Sequence, residues 1–409
     1  MVRAIGLSCV LAAFGIGVIS AADPAVSTEG QTALSAFLRD AVARGEVPGV
    51  VAMVVGRDRI LYHEAFGKQD VARDLAMQKD SIFRIASMTK PMTSTAIMML
   101  VEEGKIGLDD PVSKYLPRFG LPKVLASYDD ARGTFETRPA TKTMTIRHLL
   151  THTSGIGYSW SDPGLAVAQR ATKATNDSEL PLVSEPGERW NYGASTRVLG
   201  DIVQIVTSQR IDAFLQDRLA GPLGMMETAF DVPVAKHARV VTVHQRTNGK
   251  LVEVPNPASL AVVVRGDGGL YSTATDYARF LQLILNRGQS GGRRLLSGDT
   301  VDAMTRNQMG AVRVRLQPTA DPPRSRPFPT GAGQDTWGLG FQIAAPNPST
   351  TPHRKPGSLT WAGINNTYFF IDPSSGVGAI VLMQVLPFYD EAALRVLDGF
   401  EARLYRHLR

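Results

Sequence analysis

The spacing of apolar and polar positions along the chain predicts helices and strands in a definite order. Residues 28–44 have the period of an amphipathic helix, whereas 50–55 and 60–65 are strand-like and flank a turn. Further helices are predicted over 92–103, 112–116, 146–150, 195–207, 211–219, 277–286 and 391–408. Further strands are predicted over 81–85, 338–344, 367–371 and 377–384.

This order places strands near both ends of the chain and helices between them, which predicts a mixed α/β fold with an inserted helical part. The predicted α/β lobe comprises 23–115 and 265–409, and the predicted mainly helical lobe comprises 116–264. Residues 128–143 are polar and turn-rich, which predicts a surface excursion. Residues 306–334 are rich in Pro, Arg and Gly and predict a long loop that borders a site.

The N-terminus has the pattern of a secretory signal. Arg3 precedes an apolar run that ends in small residues, so residues 1–22 are predicted to be removed after Ala22. A retained membrane anchor is the alternative, but the run is short for a span. The one cysteine, Cys9, lies inside this segment. An exported protein, periplasmic or secreted, with no disulfide and no thiol chemistry is therefore predicted.

Composition excludes several functional classes. The chain has 409 residues and a formal net charge of +6, and it has no basic stripe with interleaved aromatic residues. Nucleic-acid binding is therefore not predicted, although the charge is compatible with weak association with an anionic envelope. His148 and His152 have the spacing of two zinc ligands on a helix, but the expected Glu and a third ligand are missing. No metal and no other cofactor are predicted, and the oligomeric state is left open.

The most informative local motif joins a serine to a lysine one helical turn later. Ser87 and Lys90 are separated by three positions, where a helix places both side chains on the same face. A hydroxyl beside an amine at a helix start has the elements of an activated nucleophile, because the free N–H groups there favour negative charge. The alternative is a capping serine beside a solvated lysine, which many chains contain by chance.

Several motifs in the same order make the chain resemble the serine β-lactamase-like superfamily, which joins class C β-lactamases, DD-peptidases and family VIII carboxylesterases. The resemblance spans about 30–400 of the chain. It rests on Ser87-Met88-Thr89-Lys90-Pro91, Leu149-Leu150-Thr151-His152-Thr153-Ser154-Gly155, Pro186-Gly187-Glu188-Arg189-Trp190-Asn191-Tyr192 and Gly268-Gly269-Leu270-Tyr271-Ser272-Thr273-Ala274. It implies a transpeptidase-like fold, with an antiparallel sheet formed by both chain ends, flanked by helices, and a mainly helical insertion.

By this resemblance Tyr192 completes a catalytic group with Ser87 and Lys90. Acyl transfer needs a base that takes the proton of the serine and an acid that protonates the leaving group. A phenol and an amine held against one hydroxyl can share both tasks, and they titrate as a unit. The resemblance also implies an oxyanion hole made by the backbone N–H groups of Ser87 and Ile364.

Two positions depart from the pattern of β-lactamases and DD-peptidases. Ala194 stands where those enzymes usually have an Asn two residues after the tyrosine, and Trp361 stands where they have a Lys or His. The stretch Trp361-Ala362-Gly363 is similar to the Trp-Gly-Gly version of family VIII esterases. Trp361, Ala362, Gly363, Ala194 and His152 are the implied substrate-binding residues, with Trp361 and the 306–334 loop shaping an apolar pocket.

These departures predict an exported serine hydrolase that cleaves small carboxylic esters through an acyl-enzyme on Ser87. A rival alignment takes Lys355-Pro356-Gly357-Ser358 as the third motif and would restore a cation for β-lactams. Three alternatives therefore stay open: a β-lactamase or D-amino-acid peptidase or amidase, an acyltransferase to an alcohol, and a non-catalytic envelope-binding protein of the same fold.

Overall fold

The computed structural model describes residues 23–257, 259–260, 262–347 and 351–409. The predicted signal segment, its cleavage after Ala22 and Cys9 lie outside the described residues. Within the described part of the chain, no helix is long and apolar enough to cross a membrane.

A large antiparallel sheet forms the centre of the molecule, as predicted. Among the described residues it has eight strands, in the spatial order Thr336–Trp337, Gln342–Ile343, Leu359–Gly363, Thr367–Asp372, Val377–Leu382, Gly49–Val55, Ile60–Asp70 and Leu75–Ala76. The two ends of the chain meet where Val51 pairs with Leu382, and every residue of Gly49–Val55 is buried. A strand buried on both faces is continuously apolar, which is why 50–55 lacks alternation.

Helices cover both faces of this sheet and fill the inserted part. The α-helices are Thr28–Ala43, Thr89–Glu102, Ile146–Leu150, Pro163–Thr172, Ser195–Thr207, Ile211–Leu215, Gly221–Leu223, Ala274–Leu285, Gly298–Thr305 and Glu391–His407. The first and last of these pack against each other, and Ala274–Leu285 packs on the neighbouring strands Val377–Leu382 and Gly49–Val55. Thr89–Glu102 is buried from Thr89 to Leu100, which places the residues that follow Ser87 in the core of the molecule.

The structure shows strands in the surface excursion at 128–143, and other elements, that the pattern did not indicate. Lys123–Asp129 and Thr134–Pro139 pair as an antiparallel hairpin. Most of their residues are at least partly exposed, so the pattern has no apolar face that would reveal strands. A second hairpin, Val243–Thr247 with Lys250–Val254, pairs with Val385–Leu386 and was also not predicted.

Other predicted elements differ mainly at their ends. The predicted helix 211–219 is an α-helix over Ile211–Leu215 that continues as a π-helix over Gln216–Ala220. The predicted strand 81–85 is reduced to Phe83–Arg84, and 338–344 to Gln342–Ile343. All strands of the large sheet come from 49–76 and 336–382. The lobe boundaries near 115 and 265 stay a prediction.

Candidate active site

Ser87 lies in a short turn that leads directly into a buried helix. The turn is a single 3₁₀ turn, Ala86–Met88, followed by Thr89–Glu102. Ala86 has φ of 44°, in the left-handed region that is unfavourable for a residue with a Cβ atom. The hydroxyl of Tyr277 donates to the backbone carbonyl of Met88 at 2.9 Å and anchors the turn. Ser87 is therefore held, partly exposed, at the wall of a pocket of about 130 Å³.

Lys90 extends from the first turn of that helix and is almost completely buried, with 1% of its surface exposed. Its Nζ lies 3.1 Å from Ser87 Oγ, 3.0 Å from the hydroxyl oxygen of Tyr158 and 2.6 Å from the backbone carbonyl oxygen of Asp267. Burial removes water from the ammonium group and lowers the pKa of Lys90 to about 7, against the opposing attraction of the Asp267 carboxylate. The amine is therefore available as a base near neutral pH.

The carboxylate of Asp267 is buried behind Lys90 and is surrounded by hydrogen-bond donors. Its Oδ2 accepts a hydrogen bond from the Tyr158 hydroxyl at 2.7 Å. The guanidinium of Arg197 donates to both carboxylate oxygens at 3.3 Å, and that of Arg265 lies 3.4 Å away. Burial alone would raise the pKa of Asp267, but Lys90, Arg197 and Arg265 together lower it below its usual range. Asp267 is therefore ionised.

Tyr192 lines the same pocket as Ser87 and Asp267. Its hydroxyl interacts with the side chain of Ser87 and accepts a hydrogen bond from the indole N–H of Trp361 at 3.1 Å. Lys90 Nζ lies 4.9 Å from the centre of the Tyr192 ring. Burial raises the pKa of Tyr192 well above its usual value, only partly offset by these hydrogen bonds. Tyr192 is consequently a neutral phenol in contact with the nucleophile.

Close backbone contacts bring the Tyr192 loop and the Trp361 strand to the nucleophile. A Cβ atom on Gly193 would lie 2.1 Å from the carbonyl oxygen of Ile156, so the loop packs this closely only with glycine. A Cβ atom on Gly363, the last residue of Leu359–Gly363, would likewise lie only 2.3 Å from the carbonyl oxygen of Ile85. This contact brings Ile364 to the pocket wall beside Ser87. The oxyanion hole formed by the backbone N–H groups of Ser87 and Ile364 stays a prediction.

The structure brings only some of the predicted substrate-binding residues to the pocket. Ala362 lines it, whereas Trp361, Gly363, Ala194 and His152 are not among the lining residues of the described chain. Trp361 lies behind Tyr192, which lines the pocket, and donates a hydrogen bond to its hydroxyl. His152 is buried against Tyr192, with ring centres 4.9 Å apart, and burial lowers its pKa well below the usual value. It is therefore a neutral packing group next to the catalytic tyrosine.

Sequence reasoning missed several side chains that complete the site. Tyr158 and Asp267 contact Lys90 directly, and Arg197 binds the carboxylate of Asp267. Asp267 directly precedes the recognised motif at 268–274, and Tyr158 follows the recognised motif at 149–155, but neither residue has a signal of its own. A buried lysine needs a nearby acid or other hydrogen-bond acceptor, which could have suggested a search for a residue such as Asp267. No local sequence pattern, however, indicates that Asp267 lies close to Lys90.

The loop over 306–334 borders the site as predicted. Arg324 lines the pocket together with Trp160 and Phe388, and its guanidinium carbon lies 5.6 Å from the Trp160 ring centre. Phe328 also stacks on Trp160, with the two ring centres 5.7 Å apart. The pocket mouth is thus partly aromatic and partly cationic, rather than uniformly apolar.

The structure does not support the rival alignment at Lys355. Lys355 lines a different pocket with Arg57 and Tyr405, and its backbone N–H donates to the carboxylate of Asp372. Trp361 is instead connected to the site, because its indole N–H donates to the hydroxyl of Tyr192. The third strand motif at the site is therefore Trp361-Ala362-Gly363, with no cation at its first position.

His148 and His152 do not form a metal site. The ring of His148 accepts a hydrogen bond from the backbone N–H of Thr145, and His152 packs among aromatic rings. Within the described residues there is no group of three or more His, Cys, Asp or Glu side chains that could hold a metal ion. The absence of a cofactor stays a prediction.

Comparisons with known proteins agree with this geometry. The sequence model of the family described as Beta-lactamase matches residues 34–400. The monacolin J acid methylbutanoyltransferase of Aspergillus terreus is 30% identical over 424 residues, covering 95% of this chain and 98% of its own. Esterase EstB of Burkholderia gladioli is 28% identical over 386 residues, covering 85% and 89%. A structure of a LovD6 mutant of simvastatin synthase from Aspergillus terreus has a TM-score of 0.78 and 26% identity, over 93% of this chain and 95% of that one.

Proposed function

The chain belongs to the Beta-lactamase family, and we propose that within it this protein is an exported serine carboxylesterase that cleaves small carboxylic esters through an acyl-enzyme on Ser87. The fold and the relatives are those of serine hydrolases and acyltransferases. The proposal goes beyond this family-level assignment by naming small carboxylic esters as the substrates.

The contact between Trp361 and Tyr192 is the single observation on which this choice rests. A lysine or histidine at position 361 would give the site a charge for the carboxylate of a β-lactam or peptide, whereas an indole offers one N–H, and Tyr192 accepts it at 3.1 Å. Ala194 is fully buried and has no amide for an acylamino side chain. Neither position can therefore supply the polar contacts that those substrates need, which favours an ester without them.

In the acylation step, Ser87 Oγ attacks the carbonyl carbon of the ester as its proton passes to the Lys90–Tyr192 pair. The C–Oγ bond forms, the carbonyl oxygen becomes an oxyanion, and the proposed oxyanion hole, made by the N–H groups of Ser87 and Ile364, stabilises it. When the oxyanion collapses, the bond to the alkoxy group breaks. That group leaves as an alcohol with a proton from the same pair.

In deacylation, water takes the place of the alcohol. The pair accepts a proton from water as its oxygen attacks the acyl carbon, and the proton returns to Ser87 Oγ as the carboxylic acid leaves. Because Lys90 has a pKa near 7, it can both accept and donate the proton around neutral pH.

Acyl transfer to an alcohol is a second candidate, favoured by a relative that matches almost the whole chain. The methylbutanoyltransferase named above matches 95% of this chain. The same acyl-enzyme would react with an alcohol instead of water, and only the acceptor differs. The pocket is open beside Ser87 and flanked by Trp160 and Phe388, which could hold an alcohol acceptor.

The test is a set of paired initial rates on p-nitrophenyl butyrate and a chromogenic cephalosporin, with the Ser87→Ala variant as control. We expect ester turnover far above cephalosporin turnover, and its loss in the variant. A preference for the cephalosporin would reject the esterase proposal. Product analysis with added n-butanol separates hydrolysis from transfer, since a transferase forms butyl butyrate at the expense of butyrate.

A non-catalytic protein of the same fold would fail a further check. An active-serine phosphonate should label the protein at Ser87, and the Ser87→Ala variant should not be labelled. Export is tested separately by cell fractionation and N-terminal sequencing, for which we expect a mature chain that begins at Asp23.

A further inference from the structure

Lys90 is bound by two groups that can only accept hydrogen bonds from it. The backbone carbonyl oxygen of Asp267, 2.6 Å from Nζ, has no hydrogen to donate. The hydroxyl oxygen of Tyr158, at 3.0 Å, has one hydrogen, and the Asp267 carboxylate accepts that hydrogen at 2.7 Å. Because this carboxylate is ionised, it cannot donate in return. Tyr158 must therefore present a lone pair to Lys90.

These constraints decide where a neutral Lys90 directs its own lone pair. A neutral amine has two N–H donors and one lone pair. The two donors are used by Asp267 and Tyr158, so the remaining direction faces Ser87 Oγ at 3.1 Å. The hydrogen of Ser87 can then point at Lys90, and the hydroxyl of Tyr192, which accepts from Trp361, keeps its own hydrogen free to donate to Ser87. Every donor in this chain then has one acceptor.

We propose that Asp267 is a positioning residue for the reaction, because its backbone carbonyl and its carboxylate, through Tyr158, together direct the lone pair of Lys90 at the hydroxyl of Ser87. This inference rests on the proposed function. During attack the O–H bond of Ser87 breaks and an N–H bond forms on Lys90. Asp267 keeps its charge and Tyr158 keeps its proton throughout.

Groups from several elements set the charge around Lys90. Asp267 and Arg265 belong to the loop before Gly268, and Arg197 extends from Ser195–Thr207. Three neutral groups also face Lys90: His152, Tyr158 and Tyr192. The negative charge of Asp267 favours the ammonium form, and the two arginines oppose it. A role for Asp267 in placing Arg197 alone would leave the lone pair of Lys90 unaffected.

The decisive variant is Asp267→Asn, which keeps the size and the backbone carbonyl. Its amide can donate to the Tyr158 oxygen, so the Tyr158 hydrogen is free to turn to Lys90 and compete with Ser87 for the lone pair. We expect kcat on p-nitrophenyl butyrate at the alkaline plateau to fall by about 10–100-fold, part of the usual contribution of a general base, with KM changed less than about threefold. The acidic limb of kcat/KM should also move to lower pH, because a negative charge next to Lys90 is lost.

Two further variants separate positioning from structural damage. Tyr158→Phe should lose a similar fraction of kcat, and adding Asp267→Asn to it should lower the plateau no further, because the carboxylate acts through Tyr158. Asp276→Asn is the matched control, since Asp276 is also a buried carboxylate but accepts hydrogen bonds from Thr228 and the Glu227 backbone, outside the pocket. The acidic limb of the kcat/KM profile of the Asp276→Asn variant should stay at the wild-type pH.

The proposal is overturned if Asp267→Asn changes kcat only in proportion to the folded fraction and leaves the acidic limb unmoved. Additive losses in the double variant would overturn it as well. If the Asp267→Asn variant does not fold, the Tyr158→Phe variant tests the proposal by the same two criteria. These are kcat at the alkaline plateau and the acidic limb of the kcat/KM profile. If the wild-type protein does not cleave esters at all, the pH dependence of phosphonate labelling at Ser87 tests the proposal independently, because labelling requires only the nucleophile and its base.

Discussion

The indole N–H of Trp361 donates to the hydroxyl of Tyr192 at 3.1 Å, and both side chains are almost completely buried. An indole nitrogen can only donate, so the hydrogen of Tyr192 is left to point elsewhere, and Ser87 is its other partner. In the proposed esterase, one aromatic side chain at the strand end thus takes the place of a substrate-binding cation and orients the phenol that we propose to be catalytic. Substrate choice and catalytic geometry are joined in this one contact.

Replacing Trp361 by Phe should reduce turnover without greatly changing substrate binding. The ring stays buried, but Tyr192 loses the hydrogen bond that orients it, which is worth about 1 kcal/mol. We expect kcat to fall by about fivefold to tenfold, following from that energy, with KM little changed. Steady-state kinetics on p-nitrophenyl butyrate measures both. A rise in KM at constant kcat would show instead that Trp361 contacts the substrate.

Removing the hydroxyl of Tyr192 should have a larger effect. Tyr192→Phe removes a proton carrier from Ser87 and leaves the Trp361 N–H buried without a partner, which costs about 1–3 kcal/mol of stability. We expect kcat to fall by roughly 10²–10⁴-fold, the usual range for a general acid or base. Urea unfolding and steady-state rates measure the two effects. Near-normal kcat in this variant would assign all proton transfer to Lys90.

Activity should rise with pH through the pKa of Lys90. Catalysis needs the neutral amine, and burial lowers the pKa of this residue to about 7. The kcat/KM profile of the wild-type enzyme should therefore have its acidic limb near pH 7, since that profile reports the free enzyme. Activity that is constant from pH 5 to 9, with folding intact, would contradict a titrating Lys90.

Stability should also depend on this group, with a definite sign. The unfolded chain holds the Lys90 proton up to its ordinary pKa of 10.5, whereas the folded protein releases it near 7. Between these values the unfolded state binds more protons, so the group's contribution to the free energy of unfolding rises with pH. The difference in urea midpoint between wild type and Lys90→Met should shift in favour of the wild type from pH 7 to 9. A difference independent of pH would show that both states titrate alike.

The close contact at Gly363 predicts a sensitive position. A Cβ atom there would lie 2.3 Å from both the Ile85 carbonyl oxygen and Thr367 Oγ1, so Gly363→Ala must move the strand end away from the Ser87 turn. We expect a loss of kcat of about 10-fold or more, as when an oxyanion donor is displaced. Gly56→Ala is the control, because its Cβ atom would meet only ordinary contacts of 3.7 Å and beyond. Equal effects of both changes would reject this explanation.

The sequence by itself determined the features that depend on short separations. Ser87 and Lys90 are three positions apart, so any helix start there brings their side chains together, and the structure places them 3.1 Å apart. The buried strands and the terminal helices follow from their apolar periods, and the fold prediction is confirmed. Exposed strands such as Lys123–Asp129 were missed because a polar strand has no apolar face to mark it.

Only the tertiary structure decided which groups surround Lys90. Tyr158 and Asp267 lie 68 and 177 positions further along the chain, and they meet Lys90 because separate loops close over one helix start. The position of Trp361, 169 residues from Tyr192, likewise depends on the strand register and on the contact at Gly363. Local periodicity reports which face of an element is buried, but not which distant side chain it meets there. The pKa of Lys90 and the direction of its lone pair arise from those long-range contacts.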